Sequence, residues 1–223
     1  MARHAITIRS VEKITPDVLR IRTDRPEGYT FEAGQATEVG INKDGWKEEL
    51  RPFTFTCLPQ DSYLEFTIKT YPAHKGVTAE LLELRTNDQL TIGESWGTIG
   101  YKGPGAFIAG GAGVTPFISI FRKLKVDDIL KGNKLIFANK TEADIIHRSE
   151  FNDMLGNNFI NILSDEKKTG YAHGYITEDF LKKCEISPSD HVYLCGPQPM
   201  MDAVEQQLLN LGIRKELIVK EEF

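Results

Sequence analysis

The sequence predicts a two-part fold, an N-terminal antiparallel β-barrel followed by a C-terminal parallel α/β sheet. Three observations carry that expectation. The 223 residues exceed what one small core usually organises, so two units of about 100 to 120 residues are expected. Residues before 100 read as short strands broken by Gly, Pro, Asn and Asp, whereas those after 105 alternate apolar strands with helical segments. "GYKGPG" at 100–105 marks the change of texture, and it divides the chain into units of 1–101 and 102–223.

In the first unit, "HAITIRSV", "DVLRIRTD", "ATEVGIN", "PFTFTCL" and "YLEFTIKTY" have the alternation or β-branched character of strands. Several short strands with turn signals between them suggest a small barrel. "TAELLEL" at 78–84 is a helical interlude, with Leu81, Leu82 and Leu84 as a partial apolar face. In the second unit, strand "AFIAG" leads through glycines into helical "PFISIFRKLKVD". Strand "KLIFAN", helical "ADIIHRSEFNDML" and strand "FINILSD" follow. After an irregular stretch come helical "TEDFLKKC", strand "HVYLCG", helical "PMMDAVEQQLLNLG" and a closing strand "LIVKEEF". Such alternation implies right-handed crossovers and a parallel sheet covered on both faces.

Composition narrows the function classes. A hydrophobic share of 40% with 26% charged residues suits a folded domain with a useful core. The net charge of −5 argues against a general nucleic-acid binder. No apolar run approaches membrane-spanning length, and "MARHAITIRSVEK" lacks the apolar core of a signal peptide. Cys57, Cys184 and Cys195 are widely spaced, which excludes a CxxC zinc or iron–sulfur pattern and fits a reducing, cytoplasmic setting. His4, His74, His147, His173 and His191 form no ligand cluster in sequence, so no metal site is expected.

"FIAGGAGVTPF" at 107–117 follows the first strand of the second unit. Gly110, Gly111 and Gly113 allow close backbone approach or positive φ. Thr115 adds a hydroxyl, and Pro116 suits the first helical position. Unpaired N–H groups and the dipole at that helix start favour a pyrophosphate, although a glycine-rich turn packed on itself would look the same. "YLCGPQPMMDAV" at 193–204 repeats the arrangement, ending a strand in Cys195-Gly196-Pro197 and starting a helix near Met200. Both ends open at the carboxyl edge of one sheet, where ligands bind in open α/β folds.

In the first unit "LRPFTFTCLP" at 50–59 puts an arginine at the mouth of an aromatic strand. Taken with the turns above, Arg51-Pro52-Phe53-Thr54 resembles the Arg-x-Tyr-Ser/Thr flavin signature of the ferredoxin–NADP reductase superfamily. Lys75-Gly76-Val77-Thr78 resembles its flavin-phosphate segment. Gly110 to Pro116 matches its Gly-Gly-x-Gly-x-Thr-Pro turn, and Cys195 to Met200 its Cys-Gly-Pro-x-x-Met segment. The resemblance runs from about residue 5 to the C-terminus, and the motifs stand in the family's order. It implies a flavin-binding barrel followed by a nicotinamide-nucleotide domain, and hydride transfer from NAD(P)H to bound flavin. FAD is the expected flavin, with FMN as the alternative.

The resemblance also assigns roles. Arg51 is expected to pair with flavin phosphate, Phe53 to lie on the isoalloxazine and Thr54 to face its reacting edge. Ile68, Lys69 and Tyr71 are expected along the ribityl chain, and Lys75, Gly76, Val77 and Thr78 at the phosphate. Gly111, Gly113, Thr115, Pro116, Cys195, Gly196, Pro197 and Met200 would receive the nicotinamide nucleotide. Thr54, Cys195 and Glu221 are the candidate catalytic residues, and Phe223 would cover the flavin. Phe53 departs from the family's tyrosine and loses a hydroxyl. "GESWGTI" replaces a frequent Gly-Pro-x-Gly, with Trp96 expected to pack on the barrel rather than touch the cofactor. Asp165 would accept a ribose 2′-hydroxyl and favours NADH, whereas Lys140, Lys167 and Lys168 favour NADPH.

The expected acceptor is a separate ferredoxin, flavodoxin or cytochrome, and the expected state a monomer or weak dimer. A free-flavin or ferric-complex reductase, and a non-catalytic nucleotide-binding subunit, are the alternatives.

Overall fold

The computed structural model describes residues 3–97 and 99–220. Six strands form the first sheet: β1 (His4–Thr15), β2 (Val18–Thr23), β3 (Ala36–Ile41), β4 (Arg51–Thr54), β5 (Leu64–Lys69) and β6 (Gln89–Trp96). Every pairing is antiparallel, in the order β4-β3-β6-β1-β2-β5. The edges β4 and β5 curl toward each other and meet through a bridge between Phe55 and Phe66. Alternate residues point inward, so Ile6, Ile8, Ile21, Phe66 and Ile92 join Phe55 in one buried cluster. Pro52 sits on edge strand β4, where a missing N–H disturbs the sheet least.

Strand β6 was not among the expected strands. Its polar and glycine positions dilute the alternation, and Leu90 and Ile92 are its buried anchors. Trp96 ends it 40% exposed, at the rim of the sheet. The helical interlude is also shorter than expected: α1 (Val77–Glu80) passes into a 3₁₀ turn at Leu81–Glu83. Its buried side is Val77, Leu81 and Leu84, while Leu82 stays exposed.

The second sheet is parallel, in the order β10-β9-β8-β7-β11-β12. Its strands are β7 (Gly105–Gly110), β8 (Lys134–Asn139), β9 (Phe159–Leu163), β10 (Ala172–His173), β11 (His191–Cys195) and β12 (Ile218–Val219). β10 lies within the stretch expected to be irregular, and β12 is shorter than the expected closing strand. The helices are α2 (Thr115–Val126), α3 (Arg148–Leu155), α4 (Glu178–Lys183) and α5 (Gln198–Asn210). Phe107, Phe121 and Phe137 pack on the α2–α3 face, and Ile108, Ile136 and Leu208 on the α4–α5 face.

The helix expected from residue 143 begins later. Thr141 and Asp144 close a capping box around the 3₁₀ turn Glu142–Asp144, and His147 takes a left-handed φ of 51°. The capping box starts the turn, but the backbone leaves the helical region at Ile145, with a ψ of 102°, and again at His147, so α3 starts only at Arg148. Pro116 occupies the second helical position, one later than expected, and α5 starts at Gln198 with Pro199 also second, where a missing N–H is equally harmless.

The two sheets share a seam. Val18 of the barrel and Ile99 of the connection belong to the same buried cluster as Phe107 and Phe117. The connection is anchored by Tyr193, whose hydroxyl accepts from the N–H groups of Lys102 and Gly103 at 2.8 and 2.9 Å. Among the described residues no helix is long and apolar enough to cross a membrane.

Candidate functional site

Strand order reverses between β7 and β11. β7 continues to β8 on one side, whereas β11 is inserted on the other. At such a switch the following chains diverge and leave a crevice beyond the carboxyl ends of the strands. The glycine turn after β7 and the Cys195-Gly196-Pro197 segment after β11 therefore face each other by topology. Their backbones are in contact. A Cβ on Gly113 would stand 2.3 Å from the Cys195 carbonyl oxygen. Gly111 is different: its φ is +50° and a Cβ there would meet nothing within 4 Å. One glycine permits the close approach, and the other lines open space. Met200 lies against Gly110 and partly joins the buried cluster under α5, while Pro197 caps that helix.

From Gly111 the chain makes a 3₁₀ turn and enters α2 at Thr115. Thr115 Oγ1 donates to the carbonyl of Ala112 at 3.0 Å and lies 3.4 Å from Thr54 Oγ1. Thr54 is the last residue of β4, so the barrel strand bearing the arginine motif ends at the glycine turn. Arg51 is three residues back, about 10 Å along the strand. It is exposed, donating to its own neighbour Leu50 at 2.6 Å and approaching Glu49 at 3.5 Å. Phe53 is half-buried against the edge of the barrel cluster.

The other expected barrel residues divide into two groups. Ile68 and Val77 turn into the barrel core, so their side chains cannot line a ligand and their backbone alone is available there. Lys69 pairs with Asp17 at 2.7 Å. Tyr71 is 43% exposed and stacks on His74 with ring centroids 5.5 Å apart. Lys75 is exposed with a φ of 47°, Gly76 caps α1 and Thr78 is half-buried beside it. Glu221 and Phe223 lie outside the described residues.

Beyond β8 and β9, Asp165 is exposed and accepts from Ser164 Oγ at 2.6 Å. Lys168, in contrast, is paired with Glu142, which also accepts from Tyr171 at 2.7 Å and pairs with Arg148 at 2.7 Å. The hydrogen bonds from Lys168 and Tyr171 hold the Glu142 carboxyl below its usual range.

A group of charges at the seam escaped the motif reading. Arg122, on α2, donates through Nη1 to Glu65 Oε1 and to the Thr56 carbonyl, both at 2.6 Å. Its Nε and Nη2 fork onto Glu150 of α3 at 2.5 and 2.8 Å. Glu65 is fully buried on β5 and also takes Arg22 Nε at 2.8 Å. Burial pushes the Glu65 and Glu150 carboxyls up, but Arg122 outweighs it and both fall below the usual range. The available signal was an acid inside the apolar run "YLEFTIK" and an arginine seven residues after Thr115 on one helix.

With the geometry in place, relatives identify the fold. Residues 107–206 match the oxidoreductase NAD-binding domain family. NADH-cytochrome b5 reductase 1 of Kluyveromyces lactis is 30% identical over 204 residues, covering 82% of this chain and 69% of that protein. The reductase component of propane 2-monooxygenase from Rhodococcus jostii is 28% identical, covering 97% of this chain and 62% of that one. Among solved structures, the flavohem-like FAD/NAD-binding domain of nitric oxide dioxygenase from Vibrio cholerae superposes with a TM-score of 0.87. It is 20% identical and covers 98% of both chains. The chain spans slightly less than two thirds of the length of several curated relatives it matches. A parallel sheet opening at its switch point onto the end of a barrel strand, together with these likenesses, makes this chain a member of the ferredoxin–NADP reductase superfamily of FAD/NAD-binding oxidoreductases.

Proposed function

We propose that the chain is an NADH-dependent flavin oxidoreductase in which residues 1–101 hold FAD and residues 102–223 hold the nicotinamide nucleotide. Electrons then leave for a separate carrier such as a ferredoxin, flavodoxin or cytochrome. The observation that carries the reading is the 3.4 Å approach of Thr54 to Thr115, which joins the flavin-type strand to the start of the nucleotide-type helix.

The residues present fit both groups. Gly111 offers a backbone cradle onto open space, and Arg51 presents a planar, permanently charged fork at the protein surface. When bound, such cofactors supply hydride exchange between nicotinamide and isoalloxazine, while the protein supplies binding and orientation. Arg51, Lys75, the Gly76 backbone and the Thr78 hydroxyl bind flavin phosphate. Phe53 and Tyr71 offer flat faces, and the Thr54 hydroxyl is a hydrogen-bonding group for the flavin edge. The N–H groups from Gly111 to Thr115 and the Gly196-Pro197 segment receive the pyrophosphate, with Cys195 beside the nicotinamide.

The donor preference follows from charge. Asp165 would repel a 2′-phosphate and accept a 2′-hydroxyl, and Lys168, one of the three opposing lysines, is held by Glu142. The names of the NADH-cytochrome b5 reductase relatives support the same choice. Burial pushes the Cys57 and Cys184 thiols up to about 12 and about 11, which leaves them unreactive, and neither is in a disulfide, as suits a reducing cytoplasm.

Anaerobic titration of the purified protein with NADH and then NADPH tests the reading. The expected result is a yellow protein bleached at lower NADH than NADPH. A colourless protein that oxidises NADH only with added flavin would make flavin a substrate, and a colourless, inert protein would refute the proposal.

A further inference from the structure

Helix α2 touches the barrel along one polar stripe. Thr115, Ser119 and Arg122 are spaced four and three residues apart, so they share a helix face. Thr115 reaches Thr54 at 3.4 Å. Ser119 Oγ accepts from the Gly34 N–H at 3.0 Å. Arg122 reaches the Thr56 carbonyl and Glu65 at 2.6 Å. Thr56 is two residues beyond Thr54, and Glu150 lies on the helix that follows the 140–144 segment. One guanidinium therefore ties together the strand end bearing Thr54, the helix that starts at Thr115 and the element next to the expected ribose site.

Plain adhesion does not require this arrangement. The Glu65 side chain is 0% exposed and that of Arg122 only 16%. A buried ion pair is a weak source of net stability, because an apolar pair of similar volume does as well or better. What apolar packing lacks is direction. The guanidinium plane fixes two carboxylates and a carbonyl at set angles, so it holds an orientation as well as a contact.

We propose that Arg122 is a positioning residue: its fork onto Glu65, Glu150 and the Thr56 carbonyl sets how the start of α2 meets the end of β4, and so aligns nicotinamide with flavin. The inference rests on the function proposed above. Reacting atoms must be held closely, and a displacement of about 1 Å from a distant change can cost about 100-fold in rate.

Two variants of the whole chain test it. Arg122→Met with Glu65→Gln and Glu150→Gln removes the guanidinium and both carboxylates it holds, leaving the fold without an orphaned carboxylate. Arg122→Lys keeps the charge but loses the fork. Both are expected to melt near the wild type and bind NADH with little change. Flavin bleaching at saturating NADH should slow about 10- to 100-fold. In flavin-free protein, amide exchange across 111–115 should quicken, a readout independent of turnover. Wild-type bleaching and exchange in either folded variant would overturn the proposal, as would full recovery by lysine, which would reduce the role to charge alone. Wild-type protein that NADH fails to bleach would instead strike the function itself, and this inference with it.

Discussion

Gly113→Ala is the most direct test of the geometry at the strand-order switch. The added Cβ would stand 2.3 Å from the Cys195 oxygen, 2.5 Å from its carbonyl carbon and 2.6 Å from the Gly196 α-carbon. All three are backbone atoms, so no rotamer change relieves the clash. Moving the oxygen from 2.3 to 3.4 Å, where ordinary contact begins, requires about 1.1 Å of separation between the two turns. Overpacking of this kind costs about 1–3 kcal/mol. For a chain of this size that corresponds to a melting temperature lower by about 2–12 °C. The same separation should slow NADH-dependent flavin reduction by up to about 100-fold. Gly111→Ala is the contrast: its Cβ enters open space at a φ of +50°, costing about 1–2 kcal/mol of backbone strain. It should weaken nicotinamide binding by occupying the cradle. Thermal melts and anaerobic stopped-flow absorbance read both variants. A Gly113→Ala protein with wild-type melting and wild-type reduction would refute the contact between the turns and the alignment built on it.

The remaining predictions concern single groups. Arg51→Ala should leave melting of the flavin-free protein unchanged, since the side chain is exposed. It should loosen flavin by roughly 10- to 100-fold, the worth of about 1.5–3 kcal/mol for a charged hydrogen bond, as read by flavin fluorescence. Thr115→Val removes the bonds to Ala112 and Thr54, and should cost about 1 kcal/mol in a denaturant titration and slow flavin reduction. Stability should fall with acid in two stages. Burial holds His147 below its ordinary 6.5, so the unfolded chain takes the proton first, and stability is full above 6.5 and declines as pH drops through the folded value. Glu65 and Glu150 are also depressed, from 4.5, and add a second loss as pH falls below that value. His147→Asn, which tolerates the left-handed backbone, should flatten the first decline in a melting series and leave the second.

Different physical origins made different parts of this molecule readable. The strands and helices came through where one chain segment settles its own burial. "FIAG" is apolar throughout because β7 is covered on both faces, and "HAITIRS" alternates because β1 is covered on one. β6 and β10 did not, because their pairing is decided by partners elsewhere: a glycine and polar residues dilute the first, and two residues are too few to show a period in the second. The expected helix across residues 143 to 147 failed for a local reason, an extended Ile145 and a left-handed His147 that separate the 3₁₀ turn from α3.

The site shows the same division more sharply. Thr54 and Thr115 are 61 residues apart, and Glu65 and Arg122 57. Nothing in a threonine or an arginine records which distant group it will meet, since many partners satisfy the same donor. Gly113 does carry such a record, because a backbone oxygen occupying the place of its Cβ leaves one residue type available. Steric exclusion thus writes itself into the sequence at the very point where two turns close, and polar attraction does not. The close-packed turn after β7 could therefore be read from its glycines, while the guanidinium that ties α2 to the barrel emerged only once the helix was folded onto its neighbour.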